Sequence, residues 1–273
     1  MEYVKLGHSG ADVSRIALGC MSFGQPGKYL FPWAKDEAEA RPMIKRALEL
    51  GINFFDTANI YQMGTSEEIT GKLLNEMANR DEIVVATKVY MEMRKGPNGK
   101  GLSRKEIMSE IDKSLKRLGM DYVDLYQIHR LDRDTPMEEI MEALHDVVKS
   151  GKARYIGASS MYAWEFLKMQ NIAEKHGWTK FITMQNHYNL MYREEEREMI
   201  PLCQDQQVGL IPWSPLAAGR LAHDWEMETG RTKIDDVAKW VYDSTKKIDQ
   251  PVVENLKKLA ANRGVSMAQM ALA

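Results

Sequence analysis

Apolar residues change their spacing along this chain in a regular way. Short β-branched runs alternate with longer segments in which apolar positions return every three or four residues. The first pattern predicts buried strands and the second amphipathic helices. RIALGC (15–20) precedes DEAEARPMIKRALELG, NFFDTA precedes SEEITGKLLNEM, and IVVATKV (83–89) precedes SRKEIMSEIDKSLKRLG. VDLYQIH, RYIGAS, FITMQN and GLIPWSP are followed by helical patterns in the same way, the last after an insertion, making seven β-then-α units. Ser103 with Glu106 three residues on reads as a capping box. Gly51, Gly119, Gly151, Gly177 and Gly264 stand where helices should stop, because glycine takes the left-handed position after a helix without a Cβ clash.

Strict alternation predicts parallel strands with right-handed crossovers, which leaves an open doubly wound sheet or a closed (β/α)8 TIM barrel. Spacing alone does not choose between them. The barrel is favoured because no GxGxxG loop follows the first strand. Polar residues also end six successive strands, Asp56, Lys88, His129, Ser159, Gln185 and Trp213, and a ring brings six strand ends together. EYVKLGHSGADVSRIA reads as a preceding β-hairpin that plugs the barrel's bottom. Residues 217–249 exceed an ordinary loop and are expected to form a flap over cofactor or substrate. Residues 1–273 read as one domain.

Composition narrows the function. The chain has 273 residues, 44% hydrophobic and 28% charged, with a formal net charge of -2. Acids and bases are interspersed, so nothing suggests nucleic acid or a polybasic membrane anchor, and a small-molecule partner is expected. No leader pattern opens the chain, and no uncharged run approaches the roughly 20 residues that span a bilayer, which makes the cytoplasm the expected compartment. Cys20 and Cys203 show no CxxC spacing and read as packing residues.

Asp56 and Lys88 end neighbouring strands, and a buried lysine needs such a partner, so a structural ion pair fits them as well as a functional one. Tyr61, five positions beyond Asp56, could bring its phenol to the ammonium, which would lower its pKa below about 10 and make it a proton donor. His129, at a strand end, is suited to guide a carbonyl oxygen, although such a histidine is more often structural. Serines after a strand commonly cap helices, and a tryptophan before proline is commonly core.

GINFFDTANIYQMGTSEE, the ATK of the third strand, DLYQIHR, RYIGASS, MQNHYN and IPWSPLAAGRL together resemble the aldo-keto reductase family, especially its branch of aryl-alcohol dehydrogenase-like enzymes and potassium-channel β subunits. The resemblance implies a (β/α)8 barrel that binds NADP(H), needs no metal and reduces an aldehyde or ketone. It implies a tetrad of Asp56, Tyr61, Lys88 and His129. Ser159, Ser160 and Gln185 would hold the nicotinamide carboxamide, and Trp213 would stack on the ring. Ser214, Pro215, Leu216, Ala217, Gly219 and Arg220 would wrap the pyrophosphate. Gly19, Cys20 and Met21 would offer backbone contacts, and Arg231 would meet the adenosine phosphate. An enzyme is favoured over a nonenzymatic NADP-binding redox sensor because His129 is kept, and over a phosphate-binding barrel enzyme because WSPLAAG fits a glycine-rich loop only in part.

Three departures stand out. Ser160 occupies a position where many relatives carry Asn or Arg, and Cys20 one where threonine is common. The pattern also stops at MAQMALA, in mid-helix, where the resemblance implies an eighth strand and a last helix that grips the 2′-phosphate. Substrate identity and oligomeric state are not legible. The loop MEMRKGPNGKGL reads as mobile and near the substrate mouth, or as an ordinary solvated loop.

Overall fold

The computed structural model describes residues 1–27, 31–224, 227 and 230–273. Contacts divide them into two compact units, residues 1–184 with 202–210, and residues 185–201 with 211–273.

In the first unit, β1 (Tyr3–Lys5) and β2 (Asp12–Ser14) form the expected antiparallel hairpin. Seven parallel strands follow: β3 (Leu18–Gly19), β4 (Phe54–Asp56), β5 (Val84–Val89), β6 (Val123–Ile128), β7 (Ala153–Ser159), β8 (Phe181–Gln185) and β9 (Gly209–Leu210). They pair strictly in sequence order. A doubly wound sheet reverses its order at a switch point and this one does not, so the fold is a (β/α)8 barrel represented by seven strands. Helices α1 (Glu37–Glu49), α2 (Thr65–Met77), α3 (Arg104–Leu118), α4 (Met137–Lys149) and α5 (Ala163–His176) are the crossovers. All five predicted stop glycines have positive φ, from 62° at Gly119 to 82° at Gly51. Ser103 caps α3 by accepting the Glu106 N–H at 3.3 Å.

The barrel interior is filled to contact. A Cβ on Gly157 of β7 would lie 2.2 Å from Thr183 Oγ1 and 3.2 Å from Gln127 Cγ, so only glycine fits there. The hairpin covers the N-terminal strand ends. Asn53, just before β4, accepts from the Ser14 N–H at 2.7 Å and donates to Asp12 O at 3.0 Å. A side chain on Gly7 would strike the backbone of Ile182 and Gly209.

The helix expected from REEEREMIPLCQDQQ is shorter: α6 covers Met199–Asp205, and Glu194–Glu196 form a 3-10 turn. Three adjacent carboxylates repel, and this turn lets Glu196 pair with Arg193 at 2.7 Å and Asn186 with Glu195 at 2.9 Å.

In the second unit, the segment expected as a flap is helical over much of its described length, with turns at residues 220–222. It contains α7 (Gly230–Ile234), α8 (Asp236–Tyr242) and the start of α9 (Lys246–Arg263), followed by α10 (Met267–Leu272). Residues 225, 226, 228 and 229 of that segment lie outside the described residues. This unit has its own core of Ala217, Leu221, Tyr242, Val253 and Leu256. No helix among the described residues is long and apolar enough to cross a membrane.

Candidate active site

Parallel pairing sets the site's floor. Asp56 is in register with Ala86, and Lys88 with Gln127, so Asp56, Lys88 and Gln127 point to one face in adjacent layers. Lys88 has no solvent exposure. Its ammonium lies 2.5 Å from Asp56 Oδ2 and donates to Thr57 O at 2.9 Å. The third donor reaches the Tyr61 hydroxyl at 3.4 Å. Asp56 uses its other oxygen to accept from Gln127 Nε2 at 2.8 Å. Burial pulls the Lys88 pKa down, but Asp56 and Tyr61 outweigh it and hold the ammonium above its ordinary pKa.

His129 follows β6 directly, its N–H bonded to Val89 O at 2.9 Å, and its ring meets the Tyr61 ring edge-on at 5.6 Å between centroids. Burial first, then the charges of Lys88 and Arg130, hold the imidazole well below its usual pKa, so it is neutral near pH 7. Its Nδ1 is buried with no hydrogen-bond partner among the described residues. Asp56, Tyr61, Lys88 and His129 therefore converge.

One expectation is reversed. Burial pushes the Tyr61 phenol above its ordinary value, outweighing the downward pull of Lys88, while Asp56 adds to the rise. Counting the nearby cation without the desolvation gave the wrong direction.

A strained turn carries Tyr61. Gln62 (φ 49°), Met63 (φ 53°) and Gly64 (φ 94°) are all left-handed before α2 begins. For the two residues with a Cβ this costs roughly 1–2 kcal/mol each. A buried polar network holds the turn's base. Thr57 Oγ1 and Ser66 Oγ are 2.8 Å apart, and Ser66 donates to Cys20 O at 2.7 Å. Asn59 donates to the buried Glu110 at 2.9 Å.

The residues expected to bind cofactor are placed as follows. Cys20 is buried, its N–H given to Asp56 O at 2.8 Å and its thiol pushed up to about 12 by burial. Gly19 is exposed and Met21 half-buried. Ser159 is buried and accepts from Arg130 Nη1 at 3.4 Å, and Ser160 has a left-handed φ of 41°. In the second unit Gln185 is buried, and Trp213 stacks on His187 at 4.1 Å, with Tyr192 on His187 at 4.3 Å. Ser214 (φ 54°), Ala217 (47°), Ala218 (54°) and Gly219 (98°) make a tight left-handed loop, with Pro215 and Leu216 between them half-buried. Arg220 is ion-paired with Asp243, and Arg231 with Asp235 at 2.7 Å, so neither guanidinium waits unneutralised.

Sequence reasoning missed Gln127, Gln62 and Arg130. Gln127 interrupts the apolar run of β6 at a position facing the interior, a signal that could have been read. Gln62 carried none.

The parallel barrel brings a buried lysine, a carboxylate, a tyrosine and a histidine together beyond its strand ends, and comparison with known proteins names the family. Residues 15–273 match the Aldo/keto reductase family, to which the chain belongs. It is similar to versiconal hemiacetal acetate reductase of Aspergillus parasiticus, at 47% identity over 100% of this chain and 84% of that protein. It is 44% identical to a Schizosaccharomyces pombe protein bearing an aryl-alcohol dehydrogenase name, over 99% of this chain and 83% of that one. The aldo-keto reductase dtxS3 of Metarhizium robertsii is 43% identical over 100% and 80%. The chain is thus an oxidoreductase of a family that uses nicotinamide cofactors on small carbonyl compounds.

Proposed function

We propose that this chain reduces aldehyde or ketone carbonyls to alcohols with NADPH, and that Tyr61 is the proton donor. The supporting observation is the fully buried ammonium of Lys88, 2.5 Å from Asp56 and 3.4 Å from the Tyr61 hydroxyl. When bound, the nicotinamide supplies hydride to the carbonyl carbon. Tyr61, held protonated by burial, keeps a proton ready on its hydroxyl at neutral pH. As negative charge builds on the carbonyl oxygen, that oxygen becomes far more basic than a phenolate and takes the proton. Lys88 stabilises the phenolate left behind, and Asp56 and Gln127 fix Lys88 in place. His129 is neutral, so it can donate a hydrogen bond to the carbonyl oxygen without protonating it outright.

The side chains present suit a dinucleotide. Small residues at Ala217, Ala218 and Gly219 allow close backbone approach, and left-handed turns of this type aim N–H groups at anions. Arg220 would exchange Asp243 for phosphate oxygens, and Arg231 would likewise leave Asp235 for the adenosine phosphate. Gly19, Cys20, Met21, Ser159, Ser160, Gln185, Trp213, Ser214, Pro215 and Leu216 complete the set assigned by family resemblance.

Tyr61→Phe tests the reading. It should lower kcat for aldehyde reduction by about 10²–10⁴-fold. NADPH binding, followed by tryptophan quenching, should stay within about twofold, because the lost hydroxyl serves the substrate. Retention of most of the turnover would remove Tyr61 as the acid.

A further inference from the structure

Immediately beside Tyr61 stands a side chain that the chemistry above does not use. Gln62 is 1% exposed, yet it sits on the strained turn. A buried primary amide needs partners, and Gln62 finds them in a distant loop. Its Nε2 donates to Gln25 O at 3.2 Å and to Phe31 O at 3.1 Å, and its Oε1 accepts the Phe31 N–H at 3.3 Å. The stem also fills the space above Gly24, where a Cβ would lie 2.3 Å from Gln62 Cγ, so Gly24 is glycine to admit it.

The loop it grips follows β3 and is closed at its base. Lys35 N–H donates to Ser22 O at 2.7 Å, and Gly24 N–H donates to Lys35 O at 2.8 Å. Phe31, whose backbone Gln62 bonds, and Trp33 lie with ring centroids 5.2 Å apart. Holding that loop accounts for a left-handed glutamine where glycine would be unstrained. Among the described residues, three amide hydrogen bonds offset the backbone strain at Gln62.

We propose that Gln62 is a positioning residue that locks residues 22–27 and 31–35, between β3 and α1, to the turn bearing Tyr61, so that these residues and the proton donor together form one rim of the substrate mouth. The proposal rests on the carbonyl-reductase reading. Gln62 touches no reacting atom and acts by holding the loop surface against which the carbonyl compound packs, while Tyr61 itself stays bonded to Lys88. Its loss therefore falls on substrate affinity more than on the chemical step.

The discriminating variant is Gln62→Glu. It keeps size and backbone but turns both donated hydrogen bonds into carboxylate–carbonyl repulsion. The expected result is a KM for an aromatic aldehyde raised at least about tenfold, with kcat within about threefold. Amide hydrogen exchange in residues 22–27 and 31–35 should accelerate about tenfold or more while the strands of the barrel keep their protection. Met63→Gly, which relieves the neighbouring strain and leaves the amide in place, should show wild-type KM and exchange. Wild-type KM and loop exchange in Gln62→Glu would overturn the proposal, as would an equal rise in Met63→Gly. Exchange is read without turnover, so the two ideas fail separately. An active Tyr61→Phe removes the reductase reading, whereas an unchanged loop in Gln62→Glu removes only the lock.

Discussion

Two ion pairs lie on opposite faces of β5. Lys88 points inward to Asp56, whereas Thr87, one residue earlier and on the opposite face, bonds Glu67 at 2.5 Å, and Glu67 in turn pairs with Arg117 at 2.5 Å. Both pairs have a fully buried member, Lys88 in one and Glu67 in the other. The difference is what the remaining hydrogen-bonding capacity meets. Arg117 turns its Nη2 to Ser114 at 3.2 Å and to the buried carboxylate of Glu110 at 3.8 Å, and Glu67 spends its second oxygen on the Thr87 hydroxyl. Lys88 spends its third donor on a phenol. A buried pair whose further partners are hydroxyls and a second carboxylate facing the same cation is scaffolding, and one whose last bond reaches a phenol that holds a proton can take part in proton transfer.

Substitutions on the two faces should therefore separate. The largest effect belongs to Lys88→Met, which removes the charge that stabilises the departing phenolate and leaves Asp56 buried without its cation. Turnover of carbonyl substrates should fall about 10²–10⁴-fold even in protein shown by circular dichroism to be folded. Arg117→Met should give the opposite signature. Stranding Glu67 should cost about 3–5 kcal/mol in chemical denaturation, while kcat per folded molecule stays within about threefold. Equal activity losses in the two variants would erase the distinction.

A smaller effect concerns pH. Because Tyr61 stays protonated past its ordinary pKa of about 10, carbonyl reduction should not lose its acid below that pH. Alcohol oxidation by the same site needs the phenolate and should climb with pH through that range. Initial rates in both directions between pH 6 and pH 10 check the sign, and an oxidation rate that declines steadily with pH would contradict it.

Much of this was legible in the chain itself. The seven strands and their stop glycines follow from spacing and from φ requirements that only glycine meets. Asp56, Lys88 and His129 stand out because polar residues ending apolar strands are conspicuous. What the chain hid depends on three dimensions. Gln127 looks like a polar intruder in a core strand until the β5–β6 register sets it beside Asp56. Gln62 has no periodic signature, since its role depends on a turn conformation and on carbonyls about thirty residues away. The direction of the Tyr61 shift is a contest between desolvation and charge, and only burial decides it. The pairing of Arg220 with Asp243 was hidden as well, because sequence shows a cation's presence and not its current partner.

The coupling of Lys88 to Tyr61 is most directly tested by tyrosine absorbance titration, with Tyr61 isolated by subtracting the curve of Tyr61→Phe from that of the parent protein. In the parent it should ionise above about 10, and in a Lys88→Met background it should move higher still, because the cation is gone and Asp56 remains. A residue 61 that ionises at the same pH with and without Lys88 would contradict the coupling.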